Sequence, residues 1–159
     1  MNKILIIIAL ALFNTIMAHA QSPIIKDLRE VISQRNSSFK TLQKELVQDN
    51  TEKGIKAYMG SVGGSSICNA FVTQSNGQGS MYIFLFSLEN MDIMQTKIFT
   101  DMAQQYINEL NNMVKTGNYK GRDYRDGESL VTEITDLNGN IVVQYVSNAA
   151  DHMIMVHGI

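Results

Sequence analysis

Cysteine occurs once, at Cys68, so the chain cannot close an internal disulfide and packing must carry its stability. Charge of one sign is also scarce: 13 basic and 15 acidic side chains give a net charge of −2. That balance argues against a nucleic-acid partner, which needs a concentrated basic surface to neutralise several phosphates. It gives no reason to expect docking on an anionic membrane. The one uncharged apolar run, residues 4–13, is interrupted by Asn14. A stable membrane span needs about 20 apolar residues, so none is expected. Missing too are a His-Glu-x-x-His helix, paired-cysteine metal motifs, an EF-hand loop, a Walker lysine and a Gly-x-Ser-x-Gly elbow. These absences point away from a metal, a cofactor or a familiar hydrolase.

What is present begins with an export signal. Lys3 precedes the run Ile-Leu-Ile-Ile-Ile-Ala-Leu-Ala-Leu-Phe, and Ala18-His19-Ala20 places small residues on either side of a histidine. A short basic region, a greasy core and a small-residue site are the pattern of a secretory signal peptide, here of bacterial appearance. Cleavage is expected between Ala20 and Gln21, with the protein in the periplasm or outside the cell. Residues 1–20 contain Lys3 and no acid, so residues 21–159 keep 12 basic and 15 acidic side chains, a net charge of −3. That length is normal for one domain able to bury a core without staples.

Periodicity supplies the rest. Pro23 can open a helix whose stripe is Ile24, Ile25, Leu28, Val31 and Ile32. Asn36, Ser37 and Ser38 could cap a second helix with Phe39, Leu42, Leu46 and Val47 inward. Residues 60–66, rich in glycine and serine, read as a linker or a functional loop. Residues 67–74, the Asn76-Gly77 turn and residues 81–88 form a hairpin. Its nearly continuous apolar return strand predicts cover on both faces, or cover on one face and a dimer partner on the other. Asn90 would cap a long helix with Met94, Ile98, Met102, Tyr106, Leu110 and Met113 on one face and Gly117 after its end. Three strands follow, at residues 130–135, 141–146 and 152–159, the first two joined by Asn138-Gly139. The expected fold is therefore α+β: a two-layer sandwich of a roughly five-stranded, mainly antiparallel sheet covered by helices, in the order α-α-β-β-α-β-β-β.

Chemistry is harder to place. His152 and His157 are five apart on one strand, so alternation puts them on opposite faces and works against a shared metal. Cys68, or one of Ser61, Ser65 and Ser66, could act as nucleophile only if a histidine stood beside it. The neighbours Ile67, Ala70, Phe71 and Val72 suggest instead that Cys68 is buried in a core strand. Eight methionines follow the signal; most fit core positions, although thioethers also serve adaptable binding surfaces. Met153-x-Met155 is a thin basis for a soft copper(I) site. The most polar segment, residues 118–128, reads as a connection in which Tyr119, Arg122, Tyr124 and Arg125 could stack on and hydrogen-bond to a ligand. Asp123, Asp126 and Glu128 in the same segment could supply paired carboxylates.

The function that follows is a non-enzymatic binding or interaction module for a small molecule, peptide or protein. Two alternatives stay open: a small exported hydrolase with an unusual Cys/Ser-His site, and a homo-oligomeric surface or assembly subunit, for which a homodimer is the simplest form.

Overall fold

The computed structural model describes residues 23–76, 79–89 and 91–159. The expected signal peptide, Gly77 of the hairpin turn and the Asn90 cap lie outside these residues. Helix α1 (Pro23–Ser33) is followed by two single 3-10 turns and a four-strand meander: β1 (Gln43–Asn50), β2 (Ile55–Gly60), β3 (Asn69–Ser75) and β4 (Gly79–Ser87). Helix α2 (Ile93–Lys115) leads to a second meander: β5 (Tyr119–Asp126), β6 (Ser129–Asp136), β7 (Ile141–Ser147) and β8 (Asp151–His157). All eight strands form one antiparallel sheet in the order β1-β2-β3-β4-β8-β7-β6-β5. Each half is thus a helix and a meander, and the halves join where β4 pairs with β8. Among the described residues no helix is long and apolar enough to cross a membrane.

The five-stranded, α-α-β-β-α-β-β-β expectation is corrected at three places. Where a second helix was expected, Ser38 and Phe39 take positive φ values of 53° and 59°, which a continuing helix cannot accommodate. The chain then enters β1, an edge strand, and Leu46 and Val47 are exposed there instead of facing a core. Ile55–Gly60, which was not among the expected strands, is β2 and pairs with both β1 and β3. The polar connection at 119–126 is the opposite edge strand, β5, in register with β6 from Tyr119–Asp136 to Asp126–Ser129. Two of the three segments, β1 and β5, are edges. An edge strand buries neither face well and carries charge that discourages pairing with other chains, so it has the composition of a loop. Register shifts in β1 add to that protection.

The helices cover one face of the sheet. There Tyr82, Phe84 and Phe86 of β4 sit beside Ile154 and Val156 of β8, with Val72, Ile134 and Val143 on flanking strands. Leu28 and Val31 of α1 and Phe99, Tyr106, Leu110 and Met113 of α2 close over them. Burying a side chain of this size stabilises the fold by about 1.5–3 kcal/mol. Tyr82 can lie in the core because its hydroxyl donates to the Val62 carbonyl at 2.8 Å and accepts from the Val62 amide at 2.9 Å. The approach is so close that a Cβ on Gly60 would stand 2.3 Å from that oxygen.

Helix α2 starts two residues later than Asn90 would require. Asp92 caps it, accepting from the Gln95 amide at 2.7 Å while the Gln95 side chain accepts from the Asp92 amide at 3.0 Å. Its inward face agrees with the sequence at Tyr106, Leu110 and Met113, but its first turns do not. Phe99 points inward there, while Met94 is 73% exposed and Ile98 is exposed beside it.

Candidate functional site

Among the described residues, no helix packs on the face of the sheet turned away from α1 and α2. Strand alternation assigns it Met59, Phe71, Ile83 and Met155, which lie opposite one another in one row across β2, β3, β4 and β8. The same row continues through Gln144, Glu133 and Arg122 on β7, β6 and β5. Parallel rows hold Met81 opposite His157, and Leu85, Met153, Val146, Val131 and Tyr124. Half of this face is therefore apolar and half is a polar relay.

Four of the eight methionines stand on the bare face: Met59, Met81, Met153 and Met155. The expected preference of methionine for the core fails here because β3, β4 and β8 are apolar on both sides, and only one side is covered. Met153 and Met155 lie beside Leu85 and Ile83, with no cluster of three His, Cys, Asp or Glu side chains among the described residues.

The relay is built around Glu133, which is only 2% exposed. Its carboxylate accepts from Arg122 Nε at 2.7 Å, from Gln144 Nε2 at 2.9 Å and from the Tyr124 hydroxyl at 3.3 Å. Burial works against the charge on Glu133. The hydrogen bonds from Arg122 and Gln144, with the positive charge of Arg122, outweigh it and hold the carboxyl below its ordinary value. The Gln144 amide nitrogen is committed to Glu133, so its Oε1 faces His157 Nε2 at 2.9 Å. An amide oxygen only accepts, which assigns the proton to His157 Nε2. The Arg122 guanidinium also lies 4.9 Å over the Tyr124 ring.

The four residues singled out from the sequence are split by the pleat of β5. Arg122 and Tyr124 share the bare face and meet at Glu133. Tyr119 lies on the helix side, in a cleft of about 330 Å³ with Arg29, Ile32 and Glu109. Arg125, on the same side as Tyr119 by alternation, stands opposite exposed Leu130 near the end of the hairpin. Glu133, Gln144 and His157 escaped the sequence analysis because they lie on three different strands. The signal that could have found β5 was Asp126-Gly127, a hairpin dipeptide whose glycine takes φ of 58°.

The nucleophile and base candidates stand apart. Cys68 is buried, and desolvation pushes its thiol up to about 12 despite a backbone hydrogen bond from Leu85 that works the other way. His152 is on the helix side, with Nδ1 2.7 Å from the Tyr145 hydroxyl and its ring against Phe99. His157 is on the bare side. Burial first, together with nearby Arg35, lowers the proton affinity of His157; burial also lowers that of His152. No hydrogen bond among the described residues joins either imidazole to Cys68, Ser61, Ser65 or Ser66. Asp123 and Asp126 fall on opposite faces of β5, and Thr132 donates to the Asp123 carboxylate at 2.7 Å.

Fold and site together define an α+β protein with a one-sided sheet: helices on one face, and an apolar surface with a neutralised polar margin on the other. Comparison with protein-family models, with curated proteins and with solved structures finds no match.

Proposed function

We propose that the protein is an exported, non-enzymatic interaction module whose bare sheet face packs against another protein surface, a second copy of itself being the partner that fits best. The observation that carries this is the uncovered row Met59, Phe71, Ile83 and Met155 on central strands. At about 4.8 Å between strands and 3.3 Å per residue, its four apolar strands cover about 400 Å². That is the size of the largest apolar patch on a monomer, about 300–600 Å², which is often a functional surface. The whole eight-stranded face has a footprint of about 800 Å², the contribution of each partner to a standard interface.

The chemistry of the face favours a protein over a polar ligand. Arg122 and Glu133 cancel each other, so little net charge has to be matched. Two such faces can stack about 10 Å apart with side chains interdigitated, as in a β-sandwich. Methionine suits that role, because an unbranched thioether repacks against whatever shape arrives. Export is supported by Lys3, the run at 4–13 and Ala18-His19-Ala20.

Sedimentation velocity between 1 and 200 µM tests the assembly. A dimer is expected for the natural chain, and monomers for Phe71→Glu and Met155→Lys with unchanged circular dichroism. A monomer at every concentration overturns self-association. Amino-terminal sequencing of the protein recovered from outside the cytoplasm should begin at Gln21; recovery in the cytoplasm with Met1 intact overturns export.

A further inference from the structure

On the helix side, away from the bare face, α1, the glycine-serine loop and the first half of α2 line an open cavity of about 320 Å³. Ile24, Ile67, Ile98, Met102 and Tyr106 supply its apolar lining, Ser65, Ser66 and Gln95 add neutral polar groups, and Asp27 is its one carboxylate. Three features distinguish this cavity from an ordinary gap beside a helix.

First, the loop is shaped to keep the space open. Gly63 takes φ of 76° directly above Phe84, where a Cβ would lie 2.2 Å from the ring. Only glycine lets the backbone rest there. The next residue, Gly64, faces the cavity, and a Cβ at that position meets nothing within 4 Å. Second, the amino-terminal turns of α2 leave Ile98 exposed at the cavity, in contrast with the covered turns around Tyr106 and Leu110. Third, Asp27 has no ion-pair or hydrogen-bond partner among the described residues, although Arg29, two positions on, is held by Glu109 at 2.6 Å. A largely apolar cleft whose single carboxylate makes no ion pair complements a molecule with an apolar body and one positive end.

We propose that this cavity binds a small apolar molecule carrying an ammonium group, with Asp27 as its counter-ion and Ile98, Met102 and Tyr106 around its body. The state of Asp27 agrees: desolvation first, and then the neighbouring charge of Glu30, make its carboxylate harder to ionise, with Lys26 opposing. An ammonium arriving at that carboxylate supplies the opposite charge that counters both effects.

Three probes of similar shape test the charge requirement: 2-phenylethylammonium, 2-phenylethanol and 3-phenylpropionate, titrated into the purified protein and followed by amide chemical shifts. The ammonium should bind about tenfold more tightly than the alcohol, as one charge-assisted contact allows, and the carboxylate most weakly. Shifts should centre on Gly63, Gly64 and Ile98. Asp27→Asn should remove the preference and leave the alcohol unaffected. Gly64→Phe, at a position with room for a side chain, should fill the space and abolish all three interactions. Absence of ammonium binding at millimolar concentration, equal affinity in Asp27→Asn, or shifts centred elsewhere would each overturn the assignment. None of these outcomes depends on whether the sheet face forms a dimer.

Discussion

Arg122 reaches across from the edge strand to Glu133, placing Nε 2.7 Å from Oε1 and joining a cation whose side chain is 67% exposed to a carboxylate almost wholly covered. The two residues are direct partners in the β5–β6 register, so the contact costs the backbone nothing beyond the pairing already made. Its asymmetry matters. The carboxylate has been taken out of water, and the arginine is what keeps it charged.

The pH dependence of stability follows from that. Glu133 is held below its ordinary 4.5, so its contribution is complete above that value and is lost as pH falls through the lower folded value. In Arg122→Ala burial would be opposed only by Gln144 and Tyr124, the carboxyl would move upward, and stability would begin to fall at a higher pH than in the natural chain. Glu133→Gln should flatten the dependence between pH 5 and 3. Urea unfolding at pH 7, 5, 4 and 3 reads all three; identical acid profiles for Arg122→Ala and the natural chain would refute the role of the pair.

Arg35 should be one of the most costly polar side chains to remove. It is buried in the turn after α1, where Nε donates to the His157 carbonyl at 2.6 Å and an Nη donates to the Ile141 carbonyl at 2.9 Å. The Ile159 amide in turn donates to the Arg35 carbonyl at 3.2 Å, so this residue ties the last strand to the start of the fold. Arg35→Ala leaves two covered carbonyls without donors and should cost about 2–4 kcal/mol. Hydrogen exchange should quicken at residues 156–159 before it does elsewhere.

Cys68 should be silent in the folded protein. Its thiol is pushed up to about 12 and is buried, so thiolate and access are both lacking at pH 8. An aromatic disulfide reagent should label it only as fast as the protein unfolds, and labelling should become immediate in denaturing urea. Complete reaction of the native chain within seconds would place the thiol at the surface.

The elements legible in the sequence were those with a strong one-sided or two-sided apolar signal. Helix α1 shows Leu28 and Val31 at the spacing of one face, and β4 is apolar at nearly every position. The hairpins β3–β4 and β6–β7 carry Asn-Gly at their turns. What was not legible shared one property: its hydrophobic pattern was incomplete because its burial is. Phe39, Leu42 and Leu46 fall at helical spacing, yet Phe39 and Leu42 are core residues from tight turns and Leu46 stands on an exposed edge. In β5 the alternation is there, but arginine, tyrosine and aspartate occupy both sides of it.

The candidate sites divide in the same way. Arg122 and Tyr124 could be picked out as a cation and an aromatic two residues apart, which one strand places on one face. Their meeting at Glu133, and the link through Gln144 to His157, spans β5 to β8 and depends on register, which local pattern does not encode.

By itself the amino-acid sequence determined that packing, not disulfides, holds this protein together, that its middle carries a long amphipathic helix, and that its central strands are apolar on both sides. Tertiary structure alone decided that the helices would cover only one of those sides, because both are carried to the same face of an eight-stranded sheet. Local periodicity records how apolar a face is. What covers that face is settled by the handedness and order in which distant strands pair.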